Sequence, residues 1–259
     1  MKVIILCGGE GVRLKNMLEP IPKAMVKIGY RPILWHVMKI FSKFGYNEFV
    51  LALGAGGEKI RDYFINYDMF ANDVTIELGN PDSTVINSQN QEKEWKITFV
   101  DTGEKAGTGA RLFRCKDFVE GDDFFVAYSD CLSDVSIPSL LKQHTESGKI
   151  LTLTGIFPPF RYGEFVIQNN LPIKYNEIST LKSKEGLVNG GFMVANKQIF
   201  DYLKPFSECV LEKEVFENLV NNEKIDMYSH DGFWQCLDND REYAILNDMY
   251  EKNQSRWLF

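Results

Sequence analysis

The chain has 259 residues, 44% of them apolar and 25% charged, and a formal net charge of −7. That length and composition suit one globular domain spanning residues 1–259. The acidic balance excludes general nucleic-acid or anionic-membrane binding, which need a basic face, and no apolar run approaches a membrane span.

Val3-Ile4-Ile5-Leu6 is a short β-branched run closed by Gly8-Gly9-Glu10-Gly11, which predicts a buried strand and then a glycine turn. The run is also too short for a signal peptide, so a cytoplasmic protein is expected. Glycines in such a turn let the backbone approach a ligand and point successive N–H groups into one concavity suited to an anion. An ordinary tight turn fits equally well. The spacing is neither that of a dinucleotide fingerprint, because Leu14 stands where the third glycine belongs, nor that of a Walker loop. Arg13 and Lys23 supply two cations close to the turn.

Further along, Pro32 and the apolar spacing of Ile33, Leu34, Val37, Ile40, Phe41 and Phe44 predict a helix starting at Pro32 and ended by Gly45. Glu48 to Leu53 reads as a second strand, parallel to the first. The glycine cluster 54–57 either lines a nucleotide base or makes a tight turn, and a helix is expected over about 60–67. Polar residues interrupt strand-like runs at 74–78, 84–87 and 95–100, read together as a β excursion at the sheet edge. The small-residue loop Gly107-Thr108-Gly109-Ala110-Arg111 opens a helix whose N-terminus favours anions. Taken alone, Arg111 reads equally as a surface cation.

Phe124 to Tyr128 is the next strand, and it delivers Asp130 to its carboxyl end, where ligands bind in open α/β sheets. Asp134 is expected to cap the helix from Ile137 to about Glu146. Strands follow over 149–156, 164–168, 172–177 and 190–195, helices over 197–203 and 213–221, and a C-terminal helix from Arg241. The five cysteines lack a C-x-x-C pair and the three histidines lack ligand spacing, so neither a disulfide framework nor a zinc site is indicated. Cys7, Cys131 and Cys236 each lie beside a proposed site motif and read as small buried side chains rather than nucleophiles.

Taken whole, GGEGVRL followed by PKAMV resembles the signature of the nucleoside-diphosphate-sugar pyrophosphorylases, and within them the cytidylyltransferase branch that acts on glucose 1-phosphate. The likeness continues in residues 32–45, 94–112, 128–135 (YSDCLSDV), 189–194 (NGGFMV) and 232–242 (GFWQCLDNDRE). It implies a Rossmann-like three-layer α/β/α fold with a mixed, mainly parallel sheet, a nucleotide-binding part over 1–160 and an acceptor-binding part over 161–259. It implies Mg2+ on Asp130 and Asp238. The nucleotide, CTP, is expected at Leu6, Cys7, Gly8, Gly9, Gly11, Val12, Arg13, Lys23 and Arg111, and the acceptor at Tyr128, Arg161, Gly163, Lys182, Asn189 and Trp234. Arg13, Lys23, Asp130 and Asp238 would carry the chemistry.

In such a reaction an acceptor phosphate oxygen attacks the α-phosphorus of the triphosphate and pyrophosphate leaves. The second pKa of a phosphate monoester lies near 6, so the nucleophile is already ionised and no general base is needed. The difficulty lies in positioning two polyanions.

The departures are specific. Val12 replaces a threonine, Ala24 replaces a proline, and Ile178 stands where a Glu-Lys-Pro lysine grips the sugar phosphate in relatives. Phe160 replaces a glycine, and the longer loop 178–188 carries Lys182 and Lys184. Either Lys182 or Lys184 takes over that grip or the acceptor is a different one; the chain is similar to the enzymes of capsular polysaccharide phosphoramidate biosynthesis, and that resemblance implies L-glutamine phosphate as acceptor, giving CDP-L-glutamine. Glucose 1-phosphate is the alternative acceptor, and a non-catalytic nucleotide-binding subunit the alternative of another class. A homo-oligomer is expected from the resemblance.

Overall fold

A computed structural model of the chain describes residues 1–9, 21–87, 92–157, 164–168, 171–176 and 186–258. In chain order it begins with β1 (Val3–Cys7), β2 (Lys27–Ile28), β3 (Arg31–Pro32), α1 (Ile33–Ser42) and β4 (Glu48–Leu53). Next come α2 (Gly57–Ile65), α3 (Tyr67–Ala71), β5 (Asp73–Glu77), β6 (Asn80–Asn87), β7 (Lys96–Asp101), α4 (Thr108–Arg114) and β8 (Asp123–Tyr128). After these lie β9 (Cys131–Ser133), α5 (Ile137–Ser147), β10 (Leu151–Ile156), β11 (Glu164–Gln168), β12 (Leu171–Asn176) and β13 (Val188–Asn196). The chain closes with α6 (Phe216–Asn221), β14 (Ile225–His230), β15 (Trp234–Cys236) and α7 (Asp240–Glu251).

Seven strands form the central sheet in the order β14-β10-β13-β8-β1-β4-β7. All neighbours pair in parallel except β13, which runs antiparallel to both β8 and β10. Successive side chains of a strand point to opposite faces, and β1 shows the consequence. Val3, Ile5 and Cys7 enter one core with Ile33, Leu34, Val37 and Phe41 of α1, Leu140 of α5 and Leu246 of α7. Ile4 and Leu6 enter the other, with Ala110 and Leu112 of α4 and Leu219 of α6. A strand buried on both faces has no polar alternation, which is why VIILC reads as an unbroken apolar run. The result is the mixed, mainly parallel three-layer arrangement expected from the sequence.

Several elements differ from expectation. Only β5 and β6 form the excursion, a separate antiparallel ribbon, whereas the run near 95–100 is β7, the edge strand of the main sheet beside β4. Pro32 is not the first residue of α1 but precedes it in an extended conformation at its N-cap. The helix expected over 60–67 begins earlier, at Gly57, because Gly56 takes the left-handed conformation that turns the chain into it. Ser136, not Asp134, caps α5, its side chain accepting from Ser139 N. Asp134 instead accepts from Phe233 N at 2.7 Å and pairs with Arg256 at 2.5 Å. Residues 197–202 form a 3-10 turn, and the helix expected over 213–221 divides into a kinked turn at Leu211–Val215, with Lys213 outside helical φ/ψ, and the short α6.

His36 locks the two ends of the chain together. It is fully buried on α1, and Trp257 Nε1 donates to its Nδ1 at 3.1 Å, leaving Nε2 to donate to Ile28 O at 2.9 Å. An imidazole that accepts at Nδ1 is neutral, and burial pulls its pKa down to about 4. The unfolded chain takes up a proton near pH 6.5 and the folded one does not, so this stability is present above pH 6.5 and is lost as pH falls toward 4. Urea unfolding should show a loss of about 2 kcal/mol from this residue between pH 7.5 and pH 5. His36→Gln should flatten that slope, and an unchanged slope in the variant would refute the assignment.

Candidate active site

The carboxyl ends of the parallel strands β1, β4 and β8 open onto a cleft of about 310 Å³ lined by residues that include Leu6, Cys7, Gly8, Gly9, Lys23, Ala55, Thr108, Arg111, Tyr128 and Asp130. That is the location the chain reversals of an open α/β sheet favour for a ligand, and the volume is at the lower end for a small-molecule site.

At its centre is one ammonium between two carboxylates. Lys23 Nζ donates to Asp130 Oδ2 at 2.9 Å and to Asp238 Oδ1 at 2.6 Å. Three local structures bring them together. The 3-10 turn Lys23–Met25 follows the glycine loop and presents Lys23. β8 ends two residues before Asp130. The antiparallel ribbon of β9 and β15, in the register Trp234↔Ser133 and Cys236↔Cys131, then carries Asp238 alongside, with Leu237 N donating to Asp130 O at 2.9 Å. Asp238 is fixed from the other side by Glu242 of α7, whose carboxylate accepts from Asp238 N at 2.5 Å, while Asn239 caps that helix. Burial opposes the charge on Lys23, but the two carboxylates outweigh it and hold its pKa above the ordinary lysine value.

The same pair of acids suits a hard divalent cation, since carboxylate oxygens are its preferred donors and one ammonium already bridges them. Asp130 and Asp238 would hold the ion, with Lys23 yielding its place between them.

Arg111 is neither a surface cation nor free to reach a phosphate through its Nη1. It is buried, Nη1 lying within hydrogen-bond distance of Leu53 O, Thr102 Oγ1 and Gly103 O at 2.7–3.1 Å, and Nη2 donates to Glu104 O at 2.9 Å. Its guanidinium lies flat between the turns that follow β1 and β4: a Cβ at Gly8 would stand 2.0 Å from Arg111 Cζ, and one at Gly54 2.6 Å from its Nη atoms. Those two glycines are required by close approach to this side chain. At the N-terminus of α4, Gly107 N donates to Ser207 O and Ala110 N to Cys209 O, while Thr108 lines the cleft.

On the far side of the cleft, Asn189 Nδ2 donates to Tyr128 OH at 3.0 Å, and Trp234 Nε1 donates to Gly190 O at 2.7 Å. Tyr128 OH in turn donates to Glu212 Oε1, and Thr108 Oγ1 donates to Glu212 Oε2 at 2.6 Å. Of the residues assigned from the sequence to the acceptor, Tyr128 thus lines the cleft with Asn189 bonded to it, and Trp234 is bonded to the next residue, Gly190. Gly11, Val12, Arg13, Arg161, Gly163, Lys182 and Ile178 lie outside the described residues. Thr108, Ala55 and Glu212 were not singled out as site residues from the sequence. Thr108 sits in the small-residue loop already noted, but Glu212 has no local signal in LEKEVFEN.

The cysteines beside the acids are poor nucleophiles. Cys131 Sγ lies 3.3 Å from Asp130 Oδ1 and Cys236 Sγ 3.1 Å from Asp238 Oδ2. Burial first, and the neighbouring carboxylates with it, push both thiols well above their ordinary pKa.

Comparison with known proteins accords with this geometry. The family model described as nucleotidyl transferase matches residues 2–237. Glucose-1-phosphate cytidylyltransferase of Salmonella typhi is 35% identical over 258 residues, covering 99% of this chain and 98% of that protein. Mannose-1-phosphate guanyltransferase of Schizosaccharomyces pombe is 26% identical, covering 96% and 64%. Among solved structures, HddC from Yersinia pseudotuberculosis complexed with GMP-PN superposes with a TM-score of 0.67 at 20% identity, covering 96% and 99%. The inositol-1-phosphate CTP transferase from T. maritima gives 0.62 at 18%, covering 96% of each chain. With the family match running from the first strand to the end of the β9–β15 ribbon, the chain belongs to the nucleotidyl transferase family.

Proposed function

We propose that the chain transfers CMP from CTP to a phosphorylated acceptor and releases pyrophosphate, with Lys23, Asp130 and Asp238 at the reacting phosphates. The observation that carries this reading is their convergence on one point at the carboxyl ends of β1 and β8. Choice of cytidine rests on the cytidylyltransferases among the relatives.

The acceptor phosphate brings its own ionised oxygen, so the protein's task is to hold two polyanions in line and to offset their charge. Lys23 is the nearest cation to do so. Displaced from the two acids, its ammonium would turn to the triphosphate, joined by Arg13. A magnesium ion on Asp130 and Asp238 would supply charge neutralisation at the phosphates when bound. Arg111 contributes at one remove: by filling the space under Gly8 and Gly54 it sets the height of the turns on which the phosphates rest. Leu6, Cys7, Gly8 and Gly9 then offer backbone along the nucleotide side, and Tyr128, Asn189 and Trp234 form the acceptor side.

L-glutamine phosphate is the acceptor favoured by the sequence, since Ile178 removes the lysine that grips a sugar 1-phosphate in relatives. Glucose 1-phosphate is the second reading, favoured by the names of the relatives at 34–35% identity.

Three outcomes test these assignments. Pyrophosphate release from Mg-CTP should proceed with phosphoglutamine and slowly or not at all with glucose 1-phosphate; the reverse result would exchange the two readings, and CTP should raise the Tm more than UTP, GTP, ATP or dTTP. Asp130→Asn and Asp238→Asn should each lower kcat by about 10²-fold or more while leaving the far-UV spectrum unchanged, and near-normal turnover in either would remove that acid from the site. In the metal-free protein Lys23→Ala leaves two acids facing each other, so its Tm should fall by about 2–4 °C. Added magnesium should recover that deficit, and a deficit that magnesium leaves untouched would show that Asp130 and Asp238 do not share an ion.

A further inference from the structure

Glu212 lies at the junction of the two walls of the cleft. It belongs to the kinked turn at Leu211–Val215, where the chain leaves helical geometry at Lys213 before α6. Its exposed carboxylate uses one oxygen for Tyr128, at the end of β8, and the other for Thr108, the first residue of α4. An ionised carboxylate only accepts hydrogen bonds, so both hydroxyl protons must point at it. Once the Tyr128 proton is committed in this way, its oxygen faces Asn189 as an acceptor, and Asn189 must present its amide nitrogen there. The orientation of that amide is fixed a second time by Gly191 N, which donates to Asn189 Oδ1 at 3.0 Å. A single polarity therefore runs from Asn189 through Tyr128 to Glu212.

We propose that Glu212 is a positioning residue for the acceptor: by holding the Tyr128 hydroxyl as a donor toward itself, it sets which hydrogen-bonding groups the acceptor wall offers. This rests on the assignment of Tyr128 and Asn189 to the acceptor side. Charge-assisted bonds such as these are the stronger class of hydrogen bond, so the ring and the amide keep one arrangement as substrate enters. Truncation to alanine removes both acceptors, but with unequal consequences. Thr108 Oγ1 keeps the bond it accepts from Leu211 N at 2.9 Å. The Tyr128 proton loses its partner and can turn toward Asn189 or the cleft, which reverses the polarity of the wall. The damage is thus directed at the acceptor rather than the nucleotide.

The test is steady-state pyrophosphate release by the full chain, with acceptor varied at saturating Mg-CTP and then CTP varied at saturating acceptor. Glu212→Ala should raise the acceptor KM about tenfold while the KM for CTP stays within about twofold. Tyr128→Phe should do the same, and the double variant should be no worse than the worse single one, as for groups acting through one bond. Glu212→Gln, which keeps an accepting oxygen and the side-chain shape, should recover part of the loss and serves where the alanine variant does not fold. An unchanged acceptor KM, an equal rise in both KM values, or effects of the two substitutions that multiply would overturn the proposal. Absence of turnover by the unmodified protein with every phosphorylated acceptor would instead overturn the functional reading beneath it, and the proposal with that reading.

Discussion

The ammonium of Lys23 shared by Asp130 and Asp238 is the interaction on which the rest of the site depends. Its three members come from positions 23, 130 and 238, and each is delivered by a different piece of backbone. None of those pieces is large. A one-turn 3-10 helix, the end of a parallel strand and a three-residue ribbon suffice because the central strands β1, β4 and β8 beneath them are packed on both faces. Like charges brought this close repel unless a cation lies between them. Lys23 is therefore the counter-charge that lets the cleft fold with both acids present.

The glycine turn after β1 belongs to the same design. Its backbone approaches a guanidinium as closely as it would approach a ligand, since Arg111 fills the space on the inner side of Gly8 and Gly54. Spending an arginine on backbone carbonyls from Leu53, Gly103 and Glu104 ties the ends of β4 and β7 to α4. Leu53 O also accepts from Thr102 N at 3.0 Å and Thr102 Oγ1 at 2.7 Å, so the end of β4 is held from β7 and from α4 at one oxygen. The arginine places positive charge beneath the turn without exposing it to competing anions.

Much of this was legible in advance, for identifiable reasons. Strands β1, β4 and β8 are apolar on both faces, and Asp130 follows the last of them, so its place at a ligand-binding edge follows from chain direction alone. The run near 95–100 was misplaced because a strand at the sheet edge is half-exposed, with the mixed pattern of the excursion before it. Asp134 looked like a cap because it precedes a helix, yet Ser136 is nearer and Asp134 has stronger partners in Phe233 N and Arg256. The burial of Arg111 could not be read, because its partners are backbone carbonyls, which every residue has. Glu212 was silent for a related reason: its meaning lies in two hydroxyls at positions 108 and 128, far from it in sequence.

The antiparallel strand explains why the two walls of the cleft differ in kind. Where all strands are parallel, the cleft receives only their carboxyl ends and the turns that follow, as at Gly8, Ala55 and Asp130. Because β13 runs the other way, pairing Phe192 with Ala127, it meets the cleft with its beginning. Asn189 and Gly190, at that beginning, thus meet Tyr128 and Trp234. β13 pairs with neither β1 nor β4. A fold arranged in this way can vary the residues beside Tyr128 on β13 while β1, β4 and the Lys23 pairing stay as they are.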